Sequence, residues 1–147
     1  MKRVLVQTED FDVAGELATL EALGGGGVAS FTGVVRGGNG LAALELEQYP
    51  AMTRLQMERI VMDAGERWPL IGMTVIHRHG YLTPGARIVF VGTASRHRTA
   101  ALESCAFLID WLKVHAPFWK KEHFADGNTQ WVASRSEDDA RAHGWNG

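Results

Sequence analysis

The sequence is short of several things, and each shortage closes a class of function. It has one cysteine, Cys105, in 147 residues, so no disulfide can form within the chain and a reducing compartment is expected. Cys105 lies in the run CAFLIDWL. That is a setting for a core thiol, not for an exposed thiol with cations around it. No apolar run approaches the length of a membrane span. The N-terminus MKRVLVQTED begins with two cations but turns acidic within ten residues, so a secretory signal is not expected. An excess of positive charge is missing too. Fifteen Lys and Arg against 17 Asp and Glu give a net charge of −2, which supplies no basic field for general nucleic-acid binding. Any positive site must therefore be local. CxxC, HExxH and Walker A motifs are absent, as is a GxGxxG between strand and helix.

What is present fits one domain over residues 1–147, with a polar, peripheral tail from 136 that starts like a capping box at Ser136 and Asp139. The hydrophobic fraction of 46% is ordinary for a chain with a real core. KRVLVQ (2–7) reads as a strand. DVAGELATLEAL (12–23) reads as a helix with Val13, Leu17 and Leu20 on one face, Asp12 as N-cap and Gly24 past its end. Gly24–Gly27 then reads as a flexible joint. GVASFTGVVR (27–36) is apolar on both faces and is expected to be a central strand. RGGNG (36–40) is a turn and a mobile loop, and LAALELEQY (41–49) alternates as a half-buried strand, so the three together predict an antiparallel hairpin.

A helix from Pro50 to Pro69 buries Met57, Ile60, Val61, Ala64 and Trp68. GMTVIHRHG (72–80) and ARIVFVGTAS (86–95) are strands, the second apolar on both faces. The next helix, about Thr99 to His115, buries Ala101, Leu102, Cys105, Leu108, Ile109 and Leu112. TQWVAS (129–134) is a last strand. This order predicts an α+β fold and not a doubly wound parallel sheet. Strands that are apolar on both faces need two-sided cover, which is expected to come in part from a second subunit.

Positive charge collects at both ends of the helix 99–115. Arg96, His97 and Arg98 precede it, where backbone N–H groups and an arginine fork suit an anion. Arg36 and Arg135 follow strands and are further anion candidates. Lys113 lies beside the buried stripe; it reads first as a snorkelling lysine, and in a desolvated pocket it would suit proton transfer or attack on a carbonyl. Lys120 follows the break at Pro117 beside Phe118 and Trp119. It is either a solvated helix-end cation or a side chain aimed into a cleft, and the sequence weighs these equally. His77 and His79 share a strand face, but no nearby acid or cysteine completes a metal site, so they read as partly exposed strand histidines.

Eight motifs, SFTGVVR (30–36), ALELEQYPAM (43–52), ERWPL (66–70), VIHRHGYL (75–82), SRHRTAALESC (95–105), LIDWLK (108–113), APFWKKE (116–122) and WVASR (131–135), resemble the catalytic large subunit of molybdopterin synthase, the MoaE-like family, in order and spacing. The resemblance implies an α/β hammerhead-like fold with a mainly antiparallel sheet packed by helices. It implies a cytoplasmic sulfurtransferase that converts cyclic pyranopterin monophosphate (precursor Z) to molybdopterin, in molybdenum cofactor biosynthesis. The sulfur comes from the C-terminal Gly-Gly thiocarboxylate of a small ubiquitin-like sulfur-carrier subunit. The assembly implied is a homodimer, and with two carriers a heterotetramer, with no nucleic acid and no membrane as partner. By this resemblance Lys113 and Lys120 are catalytic. Val34, Val35, Arg36, His97, Arg98, Lys121, Glu122 and Arg135 bind substrate, and the protein needs no metal or organic cofactor. The loop 36–40 is short and glycine-rich for the family, and Arg96 is an added cation. The alternative is a non-catalytic module of the same fold that binds a phosphorylated ligand or a partner's Gly-Gly tail. A weaker third reading is a phosphate-ester lyase or hydrolase using the same lysines.

Overall fold

The structure, a computed structural model, describes residues 1–48, 50–115, 118–132 and 144–145. In chain order the elements are β1 (Lys2–Gln7), α1 (Val13–Glu21), β2 (Gly27–Val34), β3 (Leu41–Gln48), α2 (Pro50–Arg67), β4 (Leu70–Arg78), β5 (Gly80–Leu82), β6 (Arg87–Ser95), α3 (Arg98–Val114), β7 (Phe118–Phe124) and β8 (Thr129–Val132). They build two four-stranded sheets, ordered β1-β4-β6-β2 and β5-β3-β7-β8. Only β1 and β4 pair in parallel; the other pairings are antiparallel. The fold is α+β and mainly antiparallel, as expected. No helix among the described residues is long and apolar enough to cross a membrane.

The first sheet is a filled sandwich. Odd-numbered residues of β4 and β6, such as Met73, Val75, Val89 and Val91, pack under α2 and α3 with Met57, Ala101, Cys105 and Leu108. Even-numbered ones, Ile76, Phe90 and Ala94, pack under α1 with Leu20 and Phe11. That is the period-two alternation of a strand, apolar on both faces because both are covered. The cover comes from this chain alone. The expectation that sheet area is left for a second subunit is not met, because α1 takes that side.

Three further expectations change. β2 is an edge strand, not a central one; its two-faced apolarity reflects contact with α1 on one side and α3 on the other. β2 and β3 do not form a hairpin. β2 pairs with β6 and β3 with β7, in different sheets, and the loop between them carries the chain across. Gly38, Asn39 and Gly40 there all have positive φ, the region that Asn and Gly tolerate. Gly24–Gly27 is a tight passage. A Cβ on Gly25 would stand 2.6 Å from the Ser95 carbonyl oxygen, and one on Gly26 would collide with that of Arg96. Within α3, Leu102 is exposed, while Ser104 and Phe107 are buried. The tail from 136 lies outside the described residues except at 144–145. There Trp145 donates its indole N–H to Asp110 Oδ2 at 2.7 Å.

Candidate active site

The second sheet lies beyond the C-terminal end of α3, and a cleft forms between them. β7 decides what lines it. Its alternate residues Phe118, Lys120, Glu122 and Phe124 face the cleft. Trp119, Lys121 and His123 belong to the other face, where Lys121 Nζ lies 5.2 Å from the Trp131 ring centroid and His123 Nε2 lies 2.8 Å from Glu45 Oε1. Lys113 reaches the same cleft from the last turn of α3, and Arg36 and Val34 from the end of β2.

The cleft has two chambers. The outer one, about 830 Å³, is lined by Arg36, the glycine loop at 37–39, Lys113, Lys120, Glu122 and Gln130. The inner one, about 210 Å³, runs between the edge of β2 at Phe31–Val34, the side chains of Leu44, Leu46 and Ile88, and Leu112 of α3. Lys113, Lys120, Arg36, Val34 and His77 line both. A polar chamber thus meets a narrow apolar one at a pair of amines. Such a place suits an anionic reactant on one side and an extended apolar segment on the other, with proton transfer between them.

Among the expected site residues, the structure brings Lys113, Lys120, Arg36, Val34 and Glu122 together. Val35 turns into the core with Leu46 and Leu82, and its backbone N–H donates to the Ala86 carbonyl at 2.9 Å. Lys121 lies on the opposite face of β7. His97 and Arg98 are exposed at the start of α3, beside Gly27. Lys113 is near the other end of this 17-residue helix, about 22 Å away along its axis. Within one chain, then, the His97–Arg98 pair and the lysine pair do not meet. Arg135 lies outside the described residues. Among the described residues there is no cluster of three or more His, Cys, Asp or Glu that could hold a metal.

His77 is the contributor that the sequence misplaced. It is buried, not partly exposed, and its ring stacks on Phe118 with centroids 3.8 Å apart and planes 18° from parallel. Burial is the main cause that pushes its pKa down to about 3; the fields of Lys120 and Lys113 add to it, against a hydrogen bond to the Arg78 carbonyl. Cys105 is buried and its thiol is pushed up to about 11, so it is no nucleophile at neutral pH.

Comparison with known proteins agrees with this geometry. The family model described as "MoaE protein" matches residues 6–115. A molybdopterin synthase catalytic subunit of Mesorhizobium japonicum is 51% identical over 97% of this chain and 92% of its own. The solved molybdopterin biosynthesis MoaE protein of Burkholderia ambifaria superposes with a TM-score of 0.85 at 46% identity, covering 100% of this chain and 99% of that one. The fold recurs at TM-score 0.74 and 20% identity, over 92% of each chain, in a protein-protein complex of subunits 1 and 2 of the molybdopterin-converting factor from Helicobacter pylori. The match spans nearly the whole chain, so the chain belongs to the MoaE family.

Proposed function

We propose that this chain, acting as one domain over residues 1–147, is the catalytic subunit of a molybdopterin synthase. It moves sulfur from the C-terminal thiocarboxylate of a small ubiquitin-like carrier onto cyclic pyranopterin monophosphate. The observation that carries the reading is the convergence of Lys113 and Lys120, from two different elements, on one cleft that also holds Arg36 and Glu122. Arginine can grip a phosphate with two parallel hydrogen bonds, so Arg36 takes the precursor's phosphate in the outer chamber. The inner chamber takes the carrier's Gly-Gly tail, since residues without side chains pass a narrow channel at little steric cost. Sulfur leaves the carrier's acyl carbon for a carbon of the pterin side chain. Water then completes the carrier's carboxylate. Lys113 and Lys120 orient the anionic tail and move the protons that these steps need.

His97 and Arg98 join this scheme only from a second copy of the chain, so the working unit is a homodimer, and with two carriers a heterotetramer. A cytoplasmic setting accords with a single, buried cysteine. The test is reconstitution: dimeric protein, thiocarboxylated carrier and pterin precursor, assayed for the dithiolene product. Product formation is expected. Tight binding of the carrier or precursor with no product would instead favour the non-catalytic module.

A further inference from the structure

One wall of the cleft has no role in the chemistry above: His77. It sits on the odd-numbered face of β4, which points towards α3 and β7, and its plane is fixed by the stack on Phe118. Its Nδ1 lies 2.8 Å from the Arg78 carbonyl oxygen. A carbonyl can only accept, so Nδ1 carries the hydrogen and Nε2 carries the free lone pair. The ring lines both chambers, as do the two lysines. Apart from His77, only Thr32 brings a side-chain hydrogen-bond acceptor to the lining of the inner chamber. An ammonium beside the leucine and isoleucine side chains of that chamber needs an acceptor, because an unpaired charge in apolar surroundings is costly.

We propose that His77 is a positioning residue for the lysine pair: its Nε2 accepts a hydrogen bond from the amine of Lys113 or Lys120 and fixes where that amine stands at the junction of the chambers. The inference rests on the synthase reading for its chemical purpose, but not for its geometry. His77 does not serve as a general base. The cations facing it are Lys113 from α3, Lys120 from β7 and His79 from the end of β4. Arg36 and Glu122 stand further along the same lining. With these neighbours and full burial the ring stays neutral down to a pKa of about 3, so it remains an acceptor throughout the working pH range.

Three substitutions test this in the dimeric protein. His77→Phe keeps the stacked ring and removes both nitrogens. His77→Asn keeps a donor for the Arg78 carbonyl and removes Nε2. His77→Gln brings an amide oxygen towards the place of Nε2. The first readout needs no substrate: the pH profile of modification of each lysine by an amine-reactive reagent, resolved by peptide mass spectrometry. Loss of an acceptor disfavours the ammonium form. The profile of Lys113 or Lys120 is therefore expected to move to lower pH in the Phe and Asn variants and to return towards wild type in the Gln variant. Lys121, on the other face, should not move. Unchanged profiles for both cleft lysines in the Phe and Asn variants would overturn the proposal. The second readout is turnover, where misplacing the amine should lower kcat about 10²-fold in His77→Asn with KM little altered. Full kcat in that variant would also overturn it. If wild type makes no product while the lysine profiles shift as described, the synthase reading fails and the role of His77 stands.

Discussion

Lys120 and Lys121 are neighbours in the chain and end in different worlds. Lys120 points into the cleft with Lys113, Arg36 and Glu122. Lys121 points to the outer face of the same strand, over the Trp131 ring, among Trp119 and Tyr81, which are exposed, and the ion pair of His123 with Glu45. The two side chains have the same chemistry, and nothing but the period-two alternation of β7 separates them. The function of a cation here is therefore set by strand register, and a substitution on one face should do something that the same substitution on the other does not.

The largest effect is expected on the cleft side. Lys113→Ala or Lys120→Ala should lower turnover by about 10²- to 10⁴-fold, the range for losing a positioned proton-transfer group, with no comparable change in thermal midpoint. A loss below tenfold for both in the reconstituted assay would remove them from the chemistry.

The next effect is on stability, through His77. Its pKa is about 3 in the folded chain against a reference of 6.5. Between those values the unfolded chain binds a proton that the folded chain refuses, so stability is full above pH 6.5 and is lost as pH falls towards 3. The whole window is worth on the order of 5 kcal/mol. Denaturant melts from pH 7 to pH 4 should show this fall in wild type and a shallower one in His77→Phe. Equal slopes would mean that the imidazole does not titrate on unfolding.

Arg36→Ala should weaken precursor binding by about 1.5–3 kcal/mol, as for a lost charged hydrogen bond, while carrier binding measured by calorimetry holds. Equal weakening of both would move Arg36 away from the phosphate. Arg98 extends the comparison to a second subunit. Lys120→Ala and Arg98→Ala, each impaired alone, should complement when unfolded and refolded together, recovering about a quarter of wild-type sites if dimers form at random. No recovery would mean that Arg98 acts within its own chain or not at all. The smallest effect belongs to Lys121→Ala: loss of an exposed contact with Trp131, worth about 0.5–1 kcal/mol, seen as a slight drop in stability.

The sequence gave up the elements of the first sheet readily, because there local pattern and burial agree. Met57, Ile60, Val61 and Ala64 recur at helical spacing and are buried in α2. It hid β7 for a physical reason. FWKKEHF carries an aromatic and a cation on each face, so no contrast in hydrophobicity marks a strand, and the break at Pro117 suggested only an exit from the helix. The pairing of β2 and β3 was misread because Asn39-Gly40 is a local turn signal, whereas the partners of both strands are set by distant segments. His77 was misplaced because a histidine on a strand says nothing about what covers it. That cover is Phe118, 41 positions along the chain in β7. Lys113 and Lys120 were legible as a pair through the family resemblance. The sandwiching of Lys120 against Lys113 required β7 to be known.

The most direct test compares the two faces in one experiment. Wild type, Lys120→Ala and Lys121→Ala are supplied with the same thiocarboxylated carrier and pterin precursor, and dithiolene product is followed with time. Product formation is predicted to be nearly abolished in Lys120→Ala and to stay close to wild type in Lys121→Ala. Equal loss in the two variants, or loss confined to Lys121→Ala, would contradict the assignment of the reaction to the cleft face.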